Sequence, residues 1–294
     1  MTKRLLIDTD PNIHVRGKDI DDALAILFCI ASPEVKVEGI TVNFGNVKAP
    51  VGSQAAKDIL QAAGKDIPVM QGAASSGDLG KENEAVDFLI RTAKENPGEM
   101  TLLALAPLTN VATACMLDEG FAGSLGELVV MGGTLDFWVF KYIGESNLHQ
   151  DARAAATVMS LPIAKTLITM DVCSQAVFKD EHLAKVAGND SDVSRLCVES
   201  IEPWLKLNRK IFFRKKGFFP WDVVAASYLV DSALFEDSPY TFDVVEEGFR
   251  RGRLINVKRA GGFQTGNGKR PVNMPLRLDG ARFMSLFLER LLRL

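Results

Sequence analysis

Apolar and polar positions along the chain switch repeatedly between a strand-like and a helix-like period. Arg4-Leu5-Leu6-Ile7 is a short apolar run ending in Asp8, which reads as a buried strand. Residues 23–31 (ALAILFCIA) follow with helical character, preceded by acidic residues and closed by Ser32-Pro33. Strands are predicted at residues 35–42, 67–70, 101–105, 128–131 and 163–169, and helices at 51–63, 82–94 and 108–117. This alternation predicts an α/β fold: a mainly parallel central sheet with helices on both faces and a Rossmann-like core. The last third is less regular, with helices predicted over residues 193–216, 222–229 and 281–292. The Gly-rich stretch 260–269 (AGGFQTGNGK) reads as a mobile surface loop. It lacks the spacing of a phosphate cradle and precedes no clear helix.

Composition narrows the class without naming a chemistry. A chain of 294 residues with 47% hydrophobic and 24% charged positions is large enough to bury one sizeable core, so a single domain over 1–294 is expected. The formal charge of -3 gives no electrostatic reason to expect nucleic acid or a membrane, which points to a small-molecule partner. Cys29, Cys115, Cys173 and Cys197 are scattered, so neither a disulfide framework nor a zinc site is indicated. The first ten residues reach charge too soon for a signal-peptide core, and no apolar stretch approaches the ~20 residues of a membrane span. A cytoplasmic protein is expected.

The candidate chemistry lies in Asp8-Thr9-Asp10-Pro11 and Asp19-Ile20-Asp21-Asp22. Asp8 and Asp10 stand at the carboxyl end of a parallel strand, where open α/β sheets bind ligands. Asp21 and Asp22 open the next helix, whose N-terminus favours anions. Carboxylates crowded in this way must protonate or share a cation, and an all-oxygen set suits Ca²⁺ or Mg²⁺. Helix capping by Asp19 accounts for the helix acids alone, but not for Asp8 and Asp10.

These segments resemble the DxDPGxDDA motif of the inosine-uridine preferring nucleoside hydrolase family, here split by an insert over residues 12–19. The likeness continues in the family's order through ITVNFGN (40–46), IPVMQGA (67–73), LAPLTNVA (105–112) and VVMGG (129–133). It extends to Glu145-Ser146-Asn147 before Asp151-Ala152-Arg153-Ala154-Ala155, and to Pro220-Trp221-Asp222. The resemblance implies a nucleoside hydrolase-like fold and hydrolysis of the N-glycosidic bond of a ribonucleoside. It implies a Ca²⁺ held by Asp10, Asp22, the backbone carbonyl of Thr109 and Asp222, with Asp10 also the general base. Asp21, Asn46, Glu145 and Asn147 would grip the ribose, Met131 would pack beside it, and Asp8 would support the set from behind. A homodimer or homotetramer is also implied.

Two departures from the family pattern bear on the substrate. Many members carry His before the late Asp, whereas this chain has Trp221, whose indole is no useful acid near neutral pH. The purine-preferring branch has Trp there and stacks the base between aromatic rings, which implies purine nucleosides and a catalytic stacking role for Trp221. Trp138 and Phe140 are candidates to line the base pocket, Trp204 reads as a core or lid residue, and His14 and His149 are candidate acids. The loop 134–144 also lacks the Asn that serves the 5′ side of the ribose in the family.

Two other readings remain open on sequence. A Mg²⁺-dependent DxD phosphatase shares the first strand and the acids, but leaves Asp21-Asp22 unexplained and meets Pro11 after the second Asp. A non-catalytic nucleoside- or ribose-binding protein on the same scaffold is favoured by Trp221 and the missing loop Asn, and opposed by the retained Asp10, Asp22, Glu145 and Asn147.

Overall fold

The computed structural model describes residues 2–138, 140–211, 217–263 and 270–294. β1 (Lys3–Thr9) leads into α1 (Asp21–Ala31), β2 (Val35–Val42), α2 (Ala49–Ala62), β3 (Val69–Gln71), α3 (Glu84–Glu95), β4 (Met100–Ala104) and α4 (Thr109–Leu117). The short α5 (Phe121–Ser124) precedes β5 (Leu125–Met131). Then come α6 (Phe140–Ile143), α7 (Ser146–Gln150), α8 (Ala152–Ser160), β6 (Lys165–Ile168) and α9 (Met170–Cys173). A small antiparallel pair, β7 (Phe178–Lys179) and β8 (Gly217–Phe218), brackets α10 (Asp180–Ala187) and α11 (Asp192–Ile211). The chain closes with α12 (Trp221–Val230), β9 (Pro239–Val244), β10 (Leu254–Arg259), β11 (Val272–Asn273) and α13 (Gly280–Leu291).

The main sheet has nine strands in the order β10-β9-β11-β6-β5-β4-β1-β2-β3. From β3 across to β11 all pairings are parallel, and β9 and β10 then pair antiparallel at the edge. The predicted α/β class and mainly parallel sheet are therefore what the chain adopts. Strand direction puts alternate side chains on opposite faces. Leu5, Ile7 and Leu103 pack with α1, α12 and α13 on one side. Leu6, Leu102 and Ala104 pack with α3, α4 and α8 on the other.

The order β3-β2-β1-β4-β5-β6 reverses between β1 and β4, and such a reversal opens a crevice at the strands' carboxyl ends. Asp8 pairs in register with Ala104, so the Asp10 and Leu105 backbones emerge side by side at that crevice.

Predicted boundaries shift by a few residues. Asn83 accepts from Val86 N as the N-cap of α3, and the strand predicted over 67–70 forms at Val69–Gln71. β9 and β10 escaped prediction because neither is a continuous apolar run: β9 is half-buried throughout and β10 largely exposed. The long predicted helix is seen as α11, while its tail 212–216 and residues 264–269 of the Gly-rich stretch lie outside the described residues. Cys29, Cys115, Cys173 and Cys197 are all free; Cys115 is half-buried and the other three are buried. Among the described residues no helix is long and apolar enough to cross a membrane.

Candidate active site

A cavity of about 380 Å³ occupies the crevice between β1 and β4. Its floor is acidic. Asp10 follows β1, Asp21 and Asp22 form the first turn of α1, and Asp222 lies in the first turn of α12. Neither helix has a side-chain cap at its N-cap residue, Ile20 or Pro220. The carboxylates take over that work. Asp21 Oδ2 accepts from Asp222 N at 3.1 Å, joining positions 201 apart. Asp22 Oδ1 accepts from Asp10 N at 3.2 Å and from the Thr9 hydroxyl. Asp19, one residue before the N-cap, accepts at its Oδ1 from Ile20 N at 2.7 Å and Asp21 N at 3.3 Å.

Carboxylate oxygens of Asp21, Asp22 and Asp222 all lie within 4.8 Å of one another, and all three residues are buried. Burial pushes Asp10, Asp21, Asp22 and Asp222 above the usual carboxylate range, and neighbouring aspartates push Asp10, Asp21 and Asp222 further. Burial raises Asp19 to about 6. Among the described residues no Lys or Arg forms a salt bridge with any of these aspartates. Buried like charges without a cationic partner are costly, so the set fits a bound cation.

Asp8 sits behind this floor. Its Oδ1 accepts from Thr41 Oγ1 at 2.7 Å and Asn110 Nδ2 at 2.8 Å, its Oδ2 is buried without a partner, and burial lifts it to about 6. Asn46 holds Asp10 through its backbone N–H, 2.6 Å from Asp10 Oδ2. Its side-chain amide is turned to the insert: Oδ1 accepts from Asp19 N at 3.1 Å and Nδ2 donates to Asp19 O at 2.8 Å.

Glu145, Asn147 and Met131 reach the cavity from the β5 side. Glu145 caps α7, accepting from Asn147 N, Leu148 N and, across the loop, Gly133 N. Asn147 Nδ2 donates to Leu105 O at 2.7 Å, and Met131 Sδ lies 3.6 Å from that nitrogen.

Thr109 departs from expectation. It is fully buried, its hydroxyl donates to Asp151, and it does not line the cavity. As the first residue of α4 its carbonyl is committed to the helix ladder. Leu105, one residue beyond β4, does line the cavity, and its carbonyl accepts from Asn147 Nδ2 at 2.7 Å. Sequence reasoning did not single out Leu105, which stands at the carboxyl end of a central strand, where open α/β sheets bind ligands.

The opposite wall is aromatic. Trp221, at the start of α12, meets Phe219 at 4.6 Å (41°) and Phe137 edge-on at 5.4 Å (81°). Trp138 and Phe140 line the cavity, and α11 contributes Trp204 and Asn208. The Phe137–Trp138 turn is tethered by Asp171, which sequence reasoning also missed. Asp171 Oδ2 accepts from Leu135 N at 2.7 Å and Thr134 Oγ1 at 2.9 Å, and its Oδ1 accepts from Asp136 N at 2.9 Å. The candidate acids do not reach this wall. His14 is paired with Asp58 at 2.7 Å, and His149 Nδ1 meets Arg251 O at 2.9 Å.

Comparisons with known proteins converge on one group. The sequence signature described as "Inosine-uridine preferring nucleoside hydrolase" matches residues 5–285. "Probable uridine nucleosidase 2" of Arabidopsis thaliana is 28% identical over 99% of this chain and 98% of its own. Among solved structures, "Plant nucleoside hydrolase - PpNRh1 enzyme" superposes with a TM-score of 0.86 at 26% identity, covering 99% of both chains. "Purine-Preferring Ribonucleoside Hydrolase from Gardnerella vaginalis" gives 0.85 at 22% identity, covering 99% of this chain and 98% of that one, a likeness of fold.

Proposed function

Since the chain belongs to the inosine-uridine preferring nucleoside hydrolase family, we propose that it cleaves the N-glycosidic bond of purine ribonucleosides around a Ca²⁺ held by its acidic floor. The observation that carries this reading is the meeting of Asp21, Asp22 and Asp222, from the two ends of the chain, within 4.8 Å. Asp10, Asp22, Asp222 and the Leu105 carbonyl form the ligand set, with Leu105 in the role first given to Thr109. Several carboxylates and a carbonyl form a cage of hard oxygens. Ca²⁺ accepts such a cage, whereas Mg²⁺ prefers to keep its waters. A divalent cation bound there supplies positive charge that acidifies a water molecule and anchors a vicinal diol.

The chain's own groups do the rest. Asp10 takes the water proton, its carboxylate fixed by Asn46 N–H. Asp21, Glu145 and Asn147 hold the sugar hydroxyls, with Met131 against the ring. The positive charge that builds on the ribose in an oxocarbenium-like transition state is met by carboxylates already in place. Asp8 keeps the β1 end rigid through Thr41 and Asn110. Trp221, buttressed by Phe137 and Phe219, stacks on the base, and this platform supports the purine preference. The names of relatives point both ways, to uridine and to purines.

The test is a ribonucleoside panel assayed for reducing-sugar release with and without a calcium chelator. Ribose release from inosine, adenosine or guanosine, abolished by chelation and restored by Ca²⁺, is expected. Tight nucleoside binding without ribose release would overturn the reading in favour of a binding protein.

A further inference from the structure

Departure of a nucleobase needs a proton or a strong hydrogen bond on the base, because the electron pair of the broken C1′–N bond passes into the ring. None of the three histidines lines the cavity. His14 and His149 are engaged as described, and His182 Nδ1 accepts from Lys179 N at 3.0 Å. The indoles of Trp138, Trp204 and Trp221 are donors but not acids. One cationic residue lines the cavity among the described residues: Lys18, exposed at its rim.

Lys18 comes from the insert that splits the acidic motif. Its two neighbours define where it stands. Asp19 reaches the acidic floor, and both its backbone groups are clamped by the Asn46 amide. A Cβ built on Gly17 would lie 3.9 Å from Leu207 on α11, the helix that presents Trp204 and Asn208 to the cavity. Lys18 thus stands between a neighbour fixed at the sugar floor and one that lies close to α11. The loop is braced further back, where Asn12 Oδ1 accepts from His14 N and Val15 N and His14 pairs with Asp58. The Lys18 ammonium forms no ion pair or side-chain hydrogen bond among the described residues, although acids line the same cavity.

We propose that Lys18 is the leaving-group acid of this enzyme, donating a proton from Nζ to a ring nitrogen of the departing base. The inference rests on the reading of the site as a nucleoside hydrolase. In the balanced step the C1′–N bond breaks with its electron pair going to the base, and the base gains the Lys18 proton. Water forms the new C1′–O bond and gives its proton to Asp10. Lys18 is then reprotonated from solvent and Asp10 deprotonated to it.

The test compares inosine with p-nitrophenyl β-D-riboside in the wild-type chain and in Lys18→Met and Lys18→Ala. p-Nitrophenolate leaves without protonation, so only inosine cleavage depends on the acid. The expected result is a loss of roughly 10²- to 10⁴-fold in kcat on inosine. Cleavage of the p-nitrophenyl riboside should stay within about threefold, because Asp10 and the ribose contacts are untouched. A parallel loss on both substrates, or no loss on inosine, overturns the role of Lys18 while leaving the sugar site standing. A wild-type chain that cleaves neither substrate with Ca²⁺ present overturns the hydrolase reading itself, and this inference with it.

Discussion

Gly45→Ala is the substitution that most directly tests how Asp10 is positioned. A Cβ built on Gly45 would sit 1.8 Å from Asp10 Oδ2 and 2.8 Å from Pro107 Cδ, with φ at +155°. Carbon and oxygen approach no closer than about 3.3 Å, so the Asp10 carboxylate and the loop must separate by roughly 1.5 Å. Neither side yields cheaply. Asp10 is 3% exposed and tied through its own N–H to Asp22, while Pro107 blocks retreat on the other side. Overpacking of this kind costs about 1–3 kcal/mol of stability. A catalytic group displaced by about 1 Å loses on the order of 10²-fold in rate. The expectation is a fall of about 10²-fold or more in kcat/KM for ribose release, with a weaker thermal shift on Ca²⁺ addition. Gly64→Ala is the control: its φ of +61° brings backbone strain, but no atom lies within 4 Å of the added Cβ, so stability should drop without loss of turnover. Full activity and an unchanged cation response in Gly45→Ala would refute the placement of Asp10 as base and ligand.

Asp10→Ala should lose several orders of magnitude in kcat, since a metal ligand and the base disappear together, and ordinary turnover in that variant refutes both roles. Trp221→His should slow purine nucleoside cleavage if stacking assists departure of the base, and unchanged purine rates would reduce Trp221 to packing. Cation affinity should rise with pH. Asp8 and Asp19 titrate near 6 and Asp10, Asp21 and Asp222 also lie above their unfolded values, so protons stabilise the metal-free fold below about pH 4 and this contribution fades as pH climbs through 6. The Ca²⁺-induced increase in melting temperature should therefore be small at pH 5 and large at pH 7.5. An increase independent of pH would contradict a carboxylate cage.

Most of the sheet was legible because buried parallel strands are largely apolar runs, as in Leu5-Leu6-Ile7 and Leu102-Leu103-Ala104. The acids were legible for the opposite reason: Asp8, Asp10, Asp21 and Asp22 break those runs where a fold without a ligand would put neutral residues. Three features could not be read. The Leu105 carbonyl, proposed above as a ligand, belongs to the backbone, and no side-chain pattern marks it. Asp171 acts through a turn more than thirty positions away, and nothing near it in sequence signals the contact. Asn46 carried the right motif, but its side chain is redirected by an insert whose path depends on tertiary contacts.

That redirection links the two unusual features of the chain. A scaffold with Trp221 in place of a histidine before the late aspartate has lost the simplest proton donor for the base. The insert is anchored to the Asn46 amide at Asp19 and comes close to α11 at Gly17. A lysine carried on a loop with both ends fixed costs less backbone conformational freedom than one on a free loop, so its stem starts from nearly the same place at each turnover. On this argument the split motif is the compensation for Trp221. Shortening the insert to the unsplit family length should therefore damage inosine cleavage far more than p-nitrophenyl riboside cleavage, as Lys18→Met does. Equal damage to both substrates would mean that the loop only shapes the sugar site.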